Sequence, residues 1–304
     1  MKNNELLNIG KLSKKMCGAM KQNFPVFTRH CSDILLPSKN EILKITEMLR
    51  SVLFPGFFGE ESASAGILTF NTASILDKIY RSISKQIQAG FCFICNERQE
   101  KCCNFKNCEE KADTITTNFL KMLPYIQELL IEDSISAYEN DPAATSIEEC
   151  IFSYPGILAI TNYRIAHALY HFQVPIIPRI ITEQAHAKTG IDIHPGAEIG
   201  RKFFIDHGTG VVIGGTCIIG NNCKLYQGVT LGAKSFSKDD DGNIVKGVPR
   251  HPILEDDVTI YSQTSILGRI TIGKGAVIGG NLWITKDVPA GSTITLKNFE
   301  NGKI

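Results

Sequence analysis

From Ile193 onward an aliphatic residue returns every sixth position. The anchors are Ile193, Ile199 and Ile205, then Ile213, Ile219, Leu225 and Leu231, and after an interruption Leu254, Ile260, Ile266, Ile272, Ile278 and Ile284. Four residues beyond an anchor stands a second side chain that is apolar, cysteine or threonine, such as Ala197, Cys217, Val229 and Ala276. Alternating antiparallel strands would give a period of two with no beat of six. A short fixed period marks a parallel β-helix, in which each hexapeptide is one strand and a corner. One such strand cannot bury its inner residue alone. Three close a triangular coil, and stacked coils merge their anchors into one aliphatic core.

A monotonous repeat makes its own departures conspicuous, and departures point to sites. The stretch "IDHGTGVVIG", 205–214, slips the beat by two residues and sets Asp206 and His207 where glycine follows other anchors, as at Gly200, Gly214, Gly220 and Gly273. The opening "DIHPGAEIG" carries Asp192 and His194. A polar excursion, "AKSFSKDDDGNIVKGVPRHP", ends on Arg250 and His251 before the beat resumes. Its "DDDGN" reads as an exposed turn, with a metal loop as the alternative.

Before residue 188 the apolar period is helical. "SKNEILKITEMLRSVL" has a capping box, Ser38 with Glu41, and sets Ile42, Ile45, Leu49 and Val52 on one face, stopping at Pro55-Gly56. Ile75, Ile79, Ile83 and Ile87 repeat the theme, and a long helix is expected over 114–138 with Pro124 as a kink. Ser146 and Glu149 form a second box, Pro155 opens another helix, and a last one ends before Gly190. His167 and His171 stand one turn apart, a metal pair in isolation, though packing against the β-helix is the plainer reading. The expected architecture is α + β: an all-helical domain at 1–188, a β-helix at 189–290 with an inserted loop at 233–249, and a tail at 291–304.

Composition narrows function. Thirty-two basic residues against 31 acidic leave a net charge of +1, which argues against a nucleic-acid backbone as partner. No run reaches the ~20 apolar residues of a membrane-spanning helix, and "MKNNELLNIGKLSKK" lacks a signal-peptide core, so a soluble, cytoplasmic protein is expected. Ten cysteines then read as reduced thiols. Five crowd into "FCFICNERQEKCCNFKNC", where Cys92 and Cys95 form a C-x-x-C pair but Cys102, Cys103 and Cys108 do not supply the second pair of a strong zinc motif.

The run from "DIHPGAEIG" through "DHGTGVVIG", "VTLG" and "RHP" to "ILGRITIG", with "NDPAA" (140–144) and "YRIAHALY" (163–170) upstream, resembles the serine O-acetyltransferases of cysteine biosynthesis. The resemblance spans roughly 115–290 and implies a left-handed β-helix, against the usual right-handed crossover preference. It implies acetyl transfer from acetyl-CoA, as co-substrate, to the hydroxyl of L-serine, with no metal. His207 is then the general base, and Asp192 holds its tautomer. Asp141 and Asp206 suit the ammonium and hydroxyl side of serine, while Arg250 and His251 suit its carboxylate. Gly232, Ala233, Ser262, Gly268 and Gly280 match positions that line the acetyl-CoA groove. Two segments depart from the family: the loop is longer and acidic, and the usual G-N/V-P-A segment after the last coil is absent.

The same resemblance implies a homotrimer or hexamer, feedback inhibition by L-cysteine, and docking of the C-terminal Ile304 into cysteine synthase. Two other readings stay open on residues alone. His194, His207 and His251 supply the number of ligands a γ-type carbonic anhydrase places on zinc, and the acceptor of an acyltransferase need not be serine.

Overall fold

A computed structural model describes residues 8–23, 36–58, 65–97 and 105–297. Seven helices are described: α1 (Ile9–Asn23), α2 (Lys39–Leu53), α3 (Ala65–Glu97), α4 (Phe105–Asn140), α5 (Ile147–Ser153), α6 (Pro155–His171) and α7 (Ile177–Thr189). None is long and apolar enough to cross a membrane. Both serine N-caps form, Ser38 accepting from the Glu41 N–H and Ser146 from the Glu149 N–H, but neither box closes: the Ser38 N–H donates to Gln86 instead of Glu41. The Glu149 carboxylate turns away from the cap, accepting from the N–H and hydroxyl of Thr145 at 2.6 Å each. Gly190 ends α7 in the left-handed region, φ +72°, where a side chain would be strained.

Two helices outrun their sequence signal. α3 starts ahead of the isoleucine stripe and continues through Cys92 to Glu97, and α4 begins at Phe105 rather than near 114. Pro124 lies inside α4 without ending it; a proline removes one hydrogen bond of many in so long a helix. The expected stripe is buried at Ile79, Ile83 and Ile87. Cys92 is half-buried on α3 and Cys108 buried on α4. Cys102, Cys103 and Ile304 lie outside the described residues, as does the side chain of Cys95.

After α7 fourteen short parallel strands wind a left-handed β-helix. They are β1 (Asp192–Ile193), β2 (Glu198–Ile199), β3 (Phe204–Ile205), β4 (Val212–Ile213), β5 (Ile218–Ile219), β6 (Lys224–Leu225), β7 (Thr230–Gly232), β8 (Ile253–Leu254), β9 (Thr259–Ile260), β10 (Ser265–Leu267), β11 (Thr271–Ile272), β12 (Val277–Ile278), β13 (Trp283–Ile284) and β14 (Thr293–Ile294). They form three sheets, ordered β1-β4-β7-β10-β13, β2-β5-β8-β11 and β3-β6-β9-β12-β14. Register matches anchor to anchor, Ile193 on Ile213 on Leu231 on Ile266 on Ile284 along the first sheet. All the anchors are buried except Ile199, which is half-buried at the end facing the helices. Burying each such side chain contributes about 1.5–3 kcal/mol.

The stack runs past residue 290. β14 adds Ile294 as a further buried anchor ten residues after Ile284, and the bridge from Ile272 to Val288 spans the gap. The pattern hid it because the last interval is not six. Thr209 also corrects the repeat: it is exposed, and Val211 fills the inner position before Ile213. The two extra residues of that corner shift the inner side chain along the chain.

A buried ion pair joins the helices to the first coil. Arg164 of α6 donates to Asp133 of α4 through Nε (2.6 Å) and Nη2 (3.0 Å), and Nη2 also reaches the Gly200 carbonyl at 2.8 Å. Asp133 accepts in addition from the Phe203 N–H at 2.9 Å. Burial opposes the guanidinium charge, but the Asp133 carboxylate outweighs it and keeps the Arg164 pKa above its ordinary value. Gly156 completes the contact, because a Cβ there would sit 2.6 Å from the Ile205 carbonyl oxygen. α6 therefore presses directly on β3, one residue before Asp206.

Candidate active site

Each coil has three corners: the first follows β1, β4, β7 and β10, the second β2, β5, β8 and β11, the third β3, β6, β9 and β12. The slip of two residues falls at the third corner of the first coil, 206–211. Its longer turn bulges outward, with His207 at φ +53° and Gly208 at φ +83°. Positive φ is the usual corner conformation of this β-helix, shared by Lys202, Asn222, Asp257, Gln263 and Asn281, so the extra length of the turn is what sets this corner apart. A side chain on Gly208 would collide with that of Ile191. The bulge leaves the His207 imidazole 73% exposed, with Nε2 3.8 Å from Oδ1 of Asp206. An outward, solvent-reachable imidazole is what the odd dipeptide achieves.

The helical domain brings Asp141 to the same corner. Its Oδ2 accepts from the Tyr154 hydroxyl at 2.6 Å and its Oδ1 from the Ala143 N–H at 2.8 Å. These bonds, Tyr154 first, hold the Asp141 carboxyl below its ordinary range, and the charge of His207 contributes. Burial and then the bond to Asp141 push the Tyr154 phenol well up, so it stays a donor. Below Asp206 on the same edge lie Tyr226 and Tyr261, rings stacked with centroids 4.8 Å apart. Ser262 and Gly280 follow on this edge, where a Cβ on Gly280 would sit 2.9 Å from the Ser262 carbonyl oxygen. The buried Oε1 of Gln227, next to Tyr226, has no hydrogen-bond partner.

A second group gathers at the first corner. His251 lies over Gly214 and His194 over Gly215, two glycines whose missing side chains make the room. The Thr216 N–H donates to Nδ1 of His251 at 3.1 Å, and the Gly196 N–H to Nδ1 of His194 at 2.9 Å. Each ring then carries its proton on Nε2 when neutral. Burial first, then the charge of Arg250, lowers His251 to about 4, so it is a neutral donor at pH 7. Burial, then Arg179, lowers His194 as well. Arg250 has a buried Nε with no hydrogen-bond partner. Beside it Lys234, Phe236, Val248 and Arg269 help line a cavity of about 200 Å³ that reaches Gly268, whose N–H bonds the Gly232 carbonyl at 3.0 Å. Ala233 follows Gly232 at the mouth of the loop. The "DDDGN" segment is an exposed turn, closed by Asp239 Oδ1 accepting from the N–H groups of Asp241 and Asn243.

Asp192 stands apart from its expected partner. The segments that carry them meet where the Gly210 N–H donates to the Gly190 carbonyl, but no ion pair or hydrogen bond links the Asp192 and His207 side chains. The Asp192 carboxylate instead lies within 4.8 Å of ligand-type atoms of Glu183 and His186 on α7. Nor do His194, His207 and His251 converge: two lie at the first corner with Nδ1 engaged, the third on the extended third corner. Sequence reading missed Tyr154, Thr216, Arg269 and Gln227. Of these only Tyr154 left a trace, as an aromatic before Pro155 at a helix start.

A helical domain ahead of a hexapeptide β-helix, with an outward histidine and facing acids at one corner, defines a hexapeptide acyltransferase. Comparison with known proteins bears this out. The chain is 47% identical over 272 residues to a plasmid serine acetyltransferase of Synechococcus elongatus, covering 88% of this chain and 85% of that one. The crystal structure of Entamoeba histolytica serine acetyltransferase 1 in complex with L-cysteine matches at TM-score 0.72 and 39% identity, covering 83% and 86% of the two chains. Soybean serine acetyltransferase complexed with serine matches at TM-score 0.53 and 27% identity, covering 83% and 94%. No protein-family model matches the chain. The chain belongs to the serine acetyltransferases. That membership sets aside the carbonic anhydrase reading.

Proposed function

We propose that this chain moves the acetyl group of acetyl-CoA onto the hydroxyl of L-serine, giving O-acetyl-L-serine and CoA, with His207 as the general base. The observation that carries the reading is the outward bulge of His207 between Asp206 and Asp141, in a chain of this family. Serine Oγ–H gives its proton to Nε2 of His207 as Oγ attacks the thioester carbonyl carbon. The tetrahedral intermediate collapses with cleavage of the C–S bond, and the CoA thiolate takes the proton back from the imidazolium. No covalent enzyme intermediate forms. A positioned base of this kind contributes about 10²–10⁴ in rate.

Asp141, held ionised by Tyr154, pairs the serine ammonium together with Asp206. Arg250, with its orphaned Nε, and His251, a neutral Nε2–H donor, take the carboxylate; an unpaired buried donor is costly until an acceptor arrives. Asp192 orients His207 once substrate closes the corner, since such hydrogen bonds tighten in the Michaelis complex. Acetyl-CoA runs along Gly232, Ala233 and Gly268, past Lys234 and Arg269, whose charges suit its phosphates, and along Ser262 and Gly280. These residues lie on two corners of one prism. A homotrimer, seating the first corner of one copy against the third corner of the next, would complete the site. The cysteine complex of the Entamoeba relative supports L-cysteine as a competitor at the serine subsite. Reduced thiols such as Cys217 and Cys223, whose pKa values burial raises to about 12, suit a cytoplasmic setting.

The test is acceptor choice. Incubation with acetyl-CoA and L-serine should release free thiol and give O-acetyl-L-serine by mass, whereas ethanolamine, which lacks the carboxylate, should be acetylated at least a hundredfold more slowly. Equal rates on both acceptors would remove the Arg250–His251 assignment. No thiol release with serine would remove the reading itself.

A further inference from the structure

The His167–His171 pair is not used by the acyl-transfer reading, and its geometry is specific. Both rings project from the last turns of α6. Their Nε2 atoms are 2.9 Å apart and the rings stand edge to face at 87°. Nδ1 of His167 is 2.8 Å from the Pro195 carbonyl oxygen, an acceptor only, so this nitrogen carries the proton and donates. Nε2 of His167 is then left with its lone pair, pointing at His171. A histidine that donates one ring N–H to a backbone carbonyl and offers the other nitrogen outward is how proteins prepare an imidazole to ligate a metal.

We infer that His167 and His171 form a chelating site for a divalent transition-metal ion such as Zn²⁺, built on the end of α6 and separate from the acyl-transfer residues. A tetrahedral Zn²⁺ with Zn–N distances of about 2.0–2.1 Å holds two imidazole nitrogens about 3.3 Å apart. The pair needs to open by only a few tenths of an ångström. His171 is exposed and can make that adjustment, whereas His167 is braced by Pro195 and by the Tyr163 ring 5.2 Å away. Neutral His171 passes its proton from Nε2 to Nδ1 as the metal arrives, so the neutral pair binds without releasing a proton. Water completes the coordination on the open side.

This pair is a better candidate than the trio Glu183, His186 and Asp192, where Glu183 is already engaged by Arg179. The His167–Pro195 bond joins the end of α6 to the first corner. Pro195 follows His194 directly, and Tyr170 packs edge-on to His194 with centroids 6.0 Å apart.

The experiment compares the reduced full-length protein with His171→Asn by equilibrium dialysis against ZnCl₂, with metal counted per chain. Both proteins keep all ten cysteines, so thiol-bound zinc is common to both. The wild type should hold one more equivalent than the variant. Zn²⁺ should raise the melting temperature of the wild type more than that of His171→Asn, while the two melt together without metal. Co²⁺ should give ligand-field bands without an added thiolate charge-transfer band in the wild-type-minus-variant difference spectrum. Equal stoichiometry in the two proteins, or a thiolate band in the difference spectrum, would overturn the inference.

Discussion

Removing one hydroxyl, Tyr154→Phe, should separate binding of the amino acid from its chemistry. Tyr154 is the N-cap residue of α6, yet its side chain makes no capping bond. Its structural work is the 2.6 Å bond to Asp141. A hydrogen bond to a charged group is worth about 1.5–3 kcal/mol. Asp141 keeps its bond from the Ala143 N–H and is partly exposed, so water replaces some of the loss. About 1–2 kcal/mol of positioning remains at stake, which converts to about a 5–30-fold rise in the KM for serine. Asp141 binds the ammonium in ground and transition states alike, so kcat should stay within about threefold. The KM for acetyl-CoA should not move. The assay is initial-rate thiol release with each substrate varied in turn. An unchanged serine KM, or a fall in kcat at constant KM, would refute the assignment of Asp141 to the ammonium.

Three further outcomes follow from the fold and the first corner. Ile266→Ala, which empties a fully buried anchor at mid-stack, should cost about 2–5 kcal/mol in urea unfolding. Asp133→Ala strands the Arg164 guanidinium and should cost about 3–5 kcal/mol; a loss under 1 kcal/mol would mean the link to the coil is not made. His251 has its folded pKa lowered to about 4, so the folded state disfavours its protonation. Its contribution is complete above an unfolded pKa of about 6.5 and is lost as pH falls from there towards 4. The urea midpoint of His251→Gln should therefore fall less steeply over that window than the wild type's, and parallel curves would contradict the burial of His251.

The β-helix was legible because a hexad demands the same thing at every turn. Ile193 through Ile284 could be read as anchors with no knowledge of what they stack against. Ile294 was not, since the pattern carries no signal once the interval changes to ten residues. Helix ends were missed for a related reason. Nothing stops α3 before Glu97, and its flanks, AGILTF and AGFCFIC, set apolar residues on more than one face and so do not continue the isoleucine stripe. At the site, the two-residue slip pointed correctly to a corner that turns His207 outward, because an insertion into a stacked prism can only bulge. The pairing of Asp192 with His207 rests on the family resemblance rather than on the hexad pattern. Within one chain Asp192 faces α7 instead, a packing outcome that no hexad count contains. Thr216 left no signal and Tyr154 only its place before Pro155, because their roles are hydrogen bonds to His251 and Asp141 across tertiary contacts.

The exposed imidazole of the extended corner is the reagent on which the whole account turns, and single-turnover acetyl transfer probes it without interference from product release. With acetyl-CoA and L-serine both saturating, His207→Ala should transfer acetyl about 10²–10⁴-fold more slowly than the wild type while melting at the same temperature. A variant that folds normally and transfers within threefold of the wild-type rate would show that some other group takes the serine proton.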